Sequence, residues 1–233
     1  MSRVQDPNSR KESDRKIRSR PYMLKLKNKL KTLLFKLAPR LAIHWGVEFP
    51  HKSVNRLFLE HDIFRYLDTV LNHESAQCLF IGTDKRSWHY RSRFAAKFFT
   101  IDKDPSKAIY GDVHNHRVGS ATELTRQYVR DQFDVIIANG LIGFGVNQID
   151  QCEDLFAGLE TIMKSDGVLV LGYSNSPSHI NFKLEDVKNY QLFEEFAPHS
   201  NGLEQSEYVF GDHVFVFLRR AGVGLSQAAQ INS

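Results

Sequence analysis

Residues 78–102 read CLFIGTDKRSWHYRSRFAAKFFTID: a short apolar run that ends in Gly82, a helix-length segment, and a second apolar run that closes on Asp102. Twenty positions separate Gly82 from Asp102. That is the spacing by which a strand–turn–helix–strand unit sets an acid against the ribose of a bound nucleotide. Two more apolar runs follow, FDVIIANG at 133–140 and GVLVLGY at 167–173, with helical patterns between them. The pattern predicts an open, mostly parallel α/β sheet with a nucleoside-containing ligand at the carboxyl ends of its strands.

Working outward, strands are expected at 78–82, 97–102, 115–118, 133–138 and 167–173, and helices at 87–96, 120–131 and 148–163. In the last helix Ile149, Cys152, Leu155, Phe156, Leu159, Ile162 and Met163 share one face, with Asn147 as N-cap and Asp150 three positions on. Before the first strand, Ser53 opens an amphipathic helix carrying Val54, Leu57, Phe58, Phe64, Leu67 and Leu71, which is expected to pack across the sheet. After 173 the alternation stops. YQLFEEF at 190–196 and HVFVFLRR at 213–220 are strand-like with no helical period between them, so an antiparallel ending is expected.

The net charge of +4 conceals an asymmetry: residues 1–40 hold 13 Lys/Arg against 3 Asp/Glu, the remaining 193 hold 18 against 24. Residues 1–20 are polar and charged and are expected to be disordered. Residues 21–50 form a basic amphipathic segment, in which Leu26, Leu30, Leu33, Leu34 and Leu37 follow helical spacing among Lys25, Lys29, Lys31 and Lys36, up to an interruption near Pro39. This helix could lie on an anionic membrane with Trp45 at the interface, or dock on a domain and show its lysines to water. The folded domain is expected over 51–220 and a frayed tail over 221–233.

Two cysteines without a CxxC exclude a disulfide framework, and Cys78 and Cys152 read as buried structural thiols. The first 20 residues lack an apolar signal core. No run reaches the roughly 18–20 apolar residues of a membrane span. A cytoplasmic protein is expected, with a peripheral membrane position as the alternative. The acidic domain disfavours an extended phosphate footprint, so no nucleic-acid partner is expected.

In order and residues, 53–220 resembles the class I S-adenosylmethionine-dependent methyltransferases. The resemblance implies a Rossmann-like seven-stranded sheet, mostly parallel with an antiparallel last strand, helices on both faces, and S-adenosylmethionine as cofactor. It rests on four places. In FIGTD at 80–84, Gly82, Thr83 and Asp84 stand in the family's cofactor loop, although only one of its glycines is present and the aromatic SWHY at 87–90 follows. In FFTIDKDP, Asp102 and Lys103 stand at the ribose, while Asp104 before Pro105 reads as a helix cap. In GSATEL, Ser120 and Ala121 stand at the adenine, though Ser120 with Glu123 is equally a capping box. In FDVIIANG, Asn139 and Gly140 stand where the reactive methyl should emerge; Asn139 could orient cofactor or acceptor, or cap the loop.

Transfer from a sulfonium requires mainly positioning, and His89, Tyr90, His114 and His116 are the candidates should a base be needed. None has a partner that singles it out, His114 and His116 share a strand face, and no metal set is evident. The expected function is therefore methylation of an unidentified small molecule or glycan or lipid precursor. The alternative is a non-catalytic binding or scaffolding protein of the same fold, membrane-associated through 21–45. A nicotinamide-dependent reductase is weakened by the absence of a Tyr-x-x-x-Lys pair.

Overall fold

The computed structural model describes residues 23–50 and 53–222; the leader expected over 1–20 and nearly all of the expected tail lie outside them. The chain separates into two compact units, Met1–His51 and Lys52–Ser233. In the first, helix α1 covers 23–37 and α2 is Pro39–His44. Pro39 has no amide hydrogen, so it ends one helix and opens the next at a position where none is needed. Phe35 is buried edge-on to Phe49, ring centres 5.5 Å apart, and Ala42 is fully buried.

The second unit is a sheet of eight strands: β1 (Gln77–Ile81), β2 (Lys97–Asp102), β3 (His116–Val118), β4 (Phe133–Asn139), β5 (Met163–Ser174), β6 (Phe193–Glu195), β7 (Glu207–Phe210) and β8 (His213–Arg220). Their order is β3-β2-β1-β4-β5-β8-β6, with β7 also on β8. The first five run parallel, and β8 is antiparallel to β5, β6 and β7.

Alternation along each strand fills two layers. Cys78, Phe80, Val135, Ile137, Val170, Phe215 and Phe217 face a helical run made of α3 (Val54–Phe58), a π turn (Leu59–Ile63) and α4 (Phe64–Val70). Leu79, Ile81, Ile136, Ala138, Leu169 and Leu171 face α5 (Ile149–Ile162). Because both faces are covered, these strands read as continuous apolar runs. Val54, expected on the buried stripe, is instead largely exposed.

Several local expectations are corrected. The segments 87–96 and 120–131 hold only 3₁₀ turns, Trp88–Ser92 and Ala121–Arg126. In the second, Leu124 and Tyr128 are its only buried side chains, too narrow a stripe to stabilise a full helix, and Glu123 leaves helical geometry. Gln148, not Asn147, caps α5, and the Gln151 side chain accepts from the amides of both Asn147 and Gln148. Of 190–196 only Phe193–Glu195 is strand, preceded by a 3₁₀ turn. The unexpected β7 makes a hairpin with β8 across Gly211-Asp212, a turn signal that the residues SEYVF already flanked.

At the amino ends of the strands Asp134 is a brace. Its carboxylate accepts from the Gln77 amide at 2.8 Å and pairs with Lys164 at 2.7 Å, joining the starts of β1, β4 and β5. Asp134→Ala is expected to cost about 1–3 kcal/mol. The check is a lower urea midpoint at unchanged m-value; an unmoved midpoint would show that the strand starts are held without it.

Candidate functional site

At the carboxyl ends of the strands the order reverses direction between β1 and β4, the place where open α/β sheets leave a crevice. A cavity of about 380 Å³ lies there, within the range of small-molecule sites. Loops after β1, β2, β3 and β4 all contribute to it.

The floor begins at Gly82. Its φ is +84°, a conformation that L side chains rarely adopt, and its amide donates to the Ile101 carbonyl at 2.8 Å. An added Cβ would reach Leu141 at 3.4 Å, so backbone rather than side chain borders the cavity here. Asp102, at the end of β2, holds two loops at once. One carboxylate oxygen accepts from the Thr83 amide at 2.8 Å and the other from the Asp104 amide at 2.9 Å. A carboxylate offers about four acceptor positions, so each oxygen keeps one for a ligand. Asp104 accepts from the Ser106 amide and caps the turn Pro105–Tyr110; these Ser106 bonds hold its carboxyl below its ordinary value.

Ser120 is also engaged. Its hydroxyl lies 2.8 Å from that of Thr122 and accepts from the Thr122 amide at 3.2 Å, so it caps the turn Ala121–Arg126. The loop after β4 forms the opposite wall with Leu141, Phe144 and Val146. Val146 and Phe144 amides both donate to the Leu141 carbonyl, which closes the loop on itself. Gly143 cannot be replaced there: φ is +89° and a Cβ would sit 2.7 Å from that of Ser174.

Of the nine residues expected at a cofactor, Gly82, Asp102, Lys103, Ser120, Ala121 and Gly140 line this cavity. The other three lie elsewhere. Thr83 is buried, bracing Asp102 through its amide and the Lys107 carbonyl through its hydroxyl. Asp84 is bound to Arg86, by its amide at 2.7 Å and its guanidinium at 2.9 Å. Asn139 turns toward β5, where its Oδ1 fills the space that a Cβ on Gly172 would need; that oxygen is buried with no hydrogen-bond partner among the described residues. Sequence reasoning missed Leu141, Phe144, Val146, Lys107 and Gln151. The glycines at 140, 143 and 145 marked the loop, but no spacing said which of its side chains turn inward.

No protein-family model matches the chain, and no curated protein matches it. Among solved structures, a TehB-like SAM-dependent methyltransferase of Corynebacterium glutamicum aligns with a TM-score of 0.51 at 19% identity, over 71% of this chain and 93% of its own. A protein of Pyrococcus horikoshii aligns with a TM-score of 0.51 at 12% identity, over 80% and 97%. The chain has the fold of the S-adenosylmethionine-dependent methyltransferases.

The candidate bases stand outside the cavity. The Tyr90 hydroxyl is buried between Arg56 and Glu60, accepting from one at 2.7 Å and donating to the other at 2.8 Å. Burial first, then Glu60, raises its pKa far above neutrality. His89 lies 3.8 Å from the same Glu60. His114 sits in a turn before β3 and so does not share a strand face with His116, whose Nδ1 meets the Thr100 hydroxyl at 2.9 Å. Among the described residues no cluster could hold a metal ion. Both cysteines are buried thiols; burial pushes Cys152 up to about 12 and Cys78 higher.

Burial holds the imidazoles of His116 and His213 below their ordinary value of 6.5, with Arg56 adding repulsion at His213. The unfolded chain therefore takes up these protons first as pH falls. Their contribution is complete above pH 6.5 and declines as pH drops below it toward the folded values. His116→Gln and His213→Gln are each expected to flatten the loss of stability on acidification, read by denaturant unfolding on either side of that pH. A slope equal to wild type would remove that histidine from the account.

Proposed function

We propose that the protein is an S-adenosylmethionine-dependent methyltransferase that acts on a small molecule or a glycan or lipid precursor. The observation that carries this reading is Asp102. It is a strand-end carboxylate that lines the β1/β4 crevice, oriented by two backbone amides, with one acceptor position per oxygen left unused by them. Two such positions suit the two hydroxyls of a ribose. Gly82 presents bare backbone to the amino-acid portion, and the Ser120–Ala121 turn borders the base. Lys103 reaches across the opening, its Nζ 3.4 Å from where a Cβ on Gly145 would lie.

When bound, the cofactor supplies a methyl group already activated by a sulfonium. What remains for the chain is in-line positioning and exclusion of water, which Leu141, Phe144 and Val146 perform as an apolar wall. Asn139, expected at the point where the methyl emerges, is given no role in this reading, because its buried Oδ1 faces Gly172 and it does not line the cavity. The competing reading, a non-catalytic binding protein, draws on one observation: none of the four candidate bases lines the cavity. Transfer to an acceptor that is already nucleophilic needs none.

Titration with S-adenosylhomocysteine tests the site. Asp102→Ala is expected to weaken binding by about 2–4 kcal/mol, and Gly82→Val to abolish it. Radiolabelled cofactor in a cell extract split into lipid, glycan, protein and RNA fractions names the acceptor class. Absence of both binding and label would leave the non-catalytic reading in place.

A further inference from the structure

We propose that the α1–α2 unit docks on the surface of an anionic phospholipid bilayer, its leucine stripe entering the acyl boundary and its lysine groove taking the headgroup phosphates. At 3.6 residues per turn, Met23, Leu26, Leu30, Leu33, Leu34 and Leu37 fall within an arc about 100° wide. Lys27 borders one edge of that arc and Lys29 the other. Five of the six apolar side chains, all but Leu34, are between 44% and 72% exposed. They are not what holds the unit together: Phe35, on another face of the helix, is buried against Phe49. Within this unit and among the described residues the stripe is therefore an apolar surface without an apolar neighbour, and Leu41 of α2 and its C-cap Trp45 are exposed as well, at 46% and 63%.

Beside the stripe, Lys25, Asn28, Lys29, Thr32, Lys36 and Pro50 line an open groove of about 500 Å³ that also touches Leu33. Three lysines thus share one groove with Leu33 of the stripe. Over 23–50 there are six Lys/Arg and one acid, Glu48. This pairing of an apolar arc with flanking cations and a terminal tryptophan matches the layered chemistry of an anionic interface. A second copy is disfavoured, because apposing two such stripes would bring two sets of lysines together. Spanning is disfavoured as well: among the described residues no helix is long and apolar enough to cross a membrane.

The test is flotation of the full-length protein with vesicles of phosphatidylcholine, with and without phosphatidylglycerol. Binding to the mixed vesicles is expected, with little to phosphatidylcholine alone, and with a blue shift of tryptophan emission that Trp45→Phe removes while Trp88 remains. Replacing Lys25, Lys29 and Lys36 by alanine is expected to weaken binding about tenfold or more. Leu30→Glu with Leu33→Glu is expected to abolish it. Both sets lie on the surface, so circular dichroism and the thermal midpoint should match wild type. Equal binding to both vesicle types, wild-type flotation of the glutamate variant, or failure to float at all would overturn the proposal. A dimer in solution that the glutamate variant dissociates would likewise overturn it and assign the stripe to a second copy.

Discussion

Strands β1 and β4 lie side by side with both faces buried, and this double burial governs where everything else can go. Leu79, Ile81, Ile136 and Ala138 are sealed under α5, while Cys78, Phe80, Val135 and Ile137 are sealed under the α3–α4 run. No polar function fits on either face without an unpaired group in the core. The strand ends are what remain. The amino ends are occupied by the Asp134 brace, so the carboxyl ends, where the order reverses, are left to hold a ligand.

Asp102 shows how few groups are needed to form such a site. The same carboxylate that borders the cavity ties the Thr83 and Asp104 amides, and its own carbonyl accepts from Gly119. The loops after β1, β2 and β3 are therefore fixed relative to one residue, the first two by its carboxylate and the third by its carbonyl. Orientation of this kind lowers the entropy that ligand binding would otherwise have to offset. It also lets the first loop dispense with additional glycines: Gly82 alone takes the left-handed conformation, and the brace holds the residues after it.

The shortened connections belong to the same economy. Where a helix would ordinarily cross from β1 to β2, a 3₁₀ turn brings Tyr90 into the layer beneath α3 and α4, in contact with Phe64 and Phe80 and bonded to Arg56 and Glu60. Tyr90, with its two charged partners, and Phe94, packed on Phe64 and Phe98, cover sheet area that a longer helix would otherwise cover. Edge protection is handled similarly, because β6 and β7 share the outer side of β8 with an excursion between them.

The architecture was legible in the sequence because its signals are local. Apolar runs of strand length, the helical face of 149–162, and the interval from Gly82 to Asp102 each follow from backbone period and from chain reach. The cap at Asp104, the break at Pro39 and the exposed basic stripe after Met23 are local as well. The tertiary structure decided what depends on groups distant in the chain. Thr83 and Asp84 were drawn into loop bonding, Asn139 was turned toward Gly172, and Phe144 and Val146 were brought into the cavity wall. It also reduced two expected helices to single turns, since the buried area that would stabilise them is set by the layer above the sheet and not by their own residues. Period and spacing fix which element a residue belongs to; which way its side chain turns at an element's end depends on the hydrogen-bond partners that folding supplies.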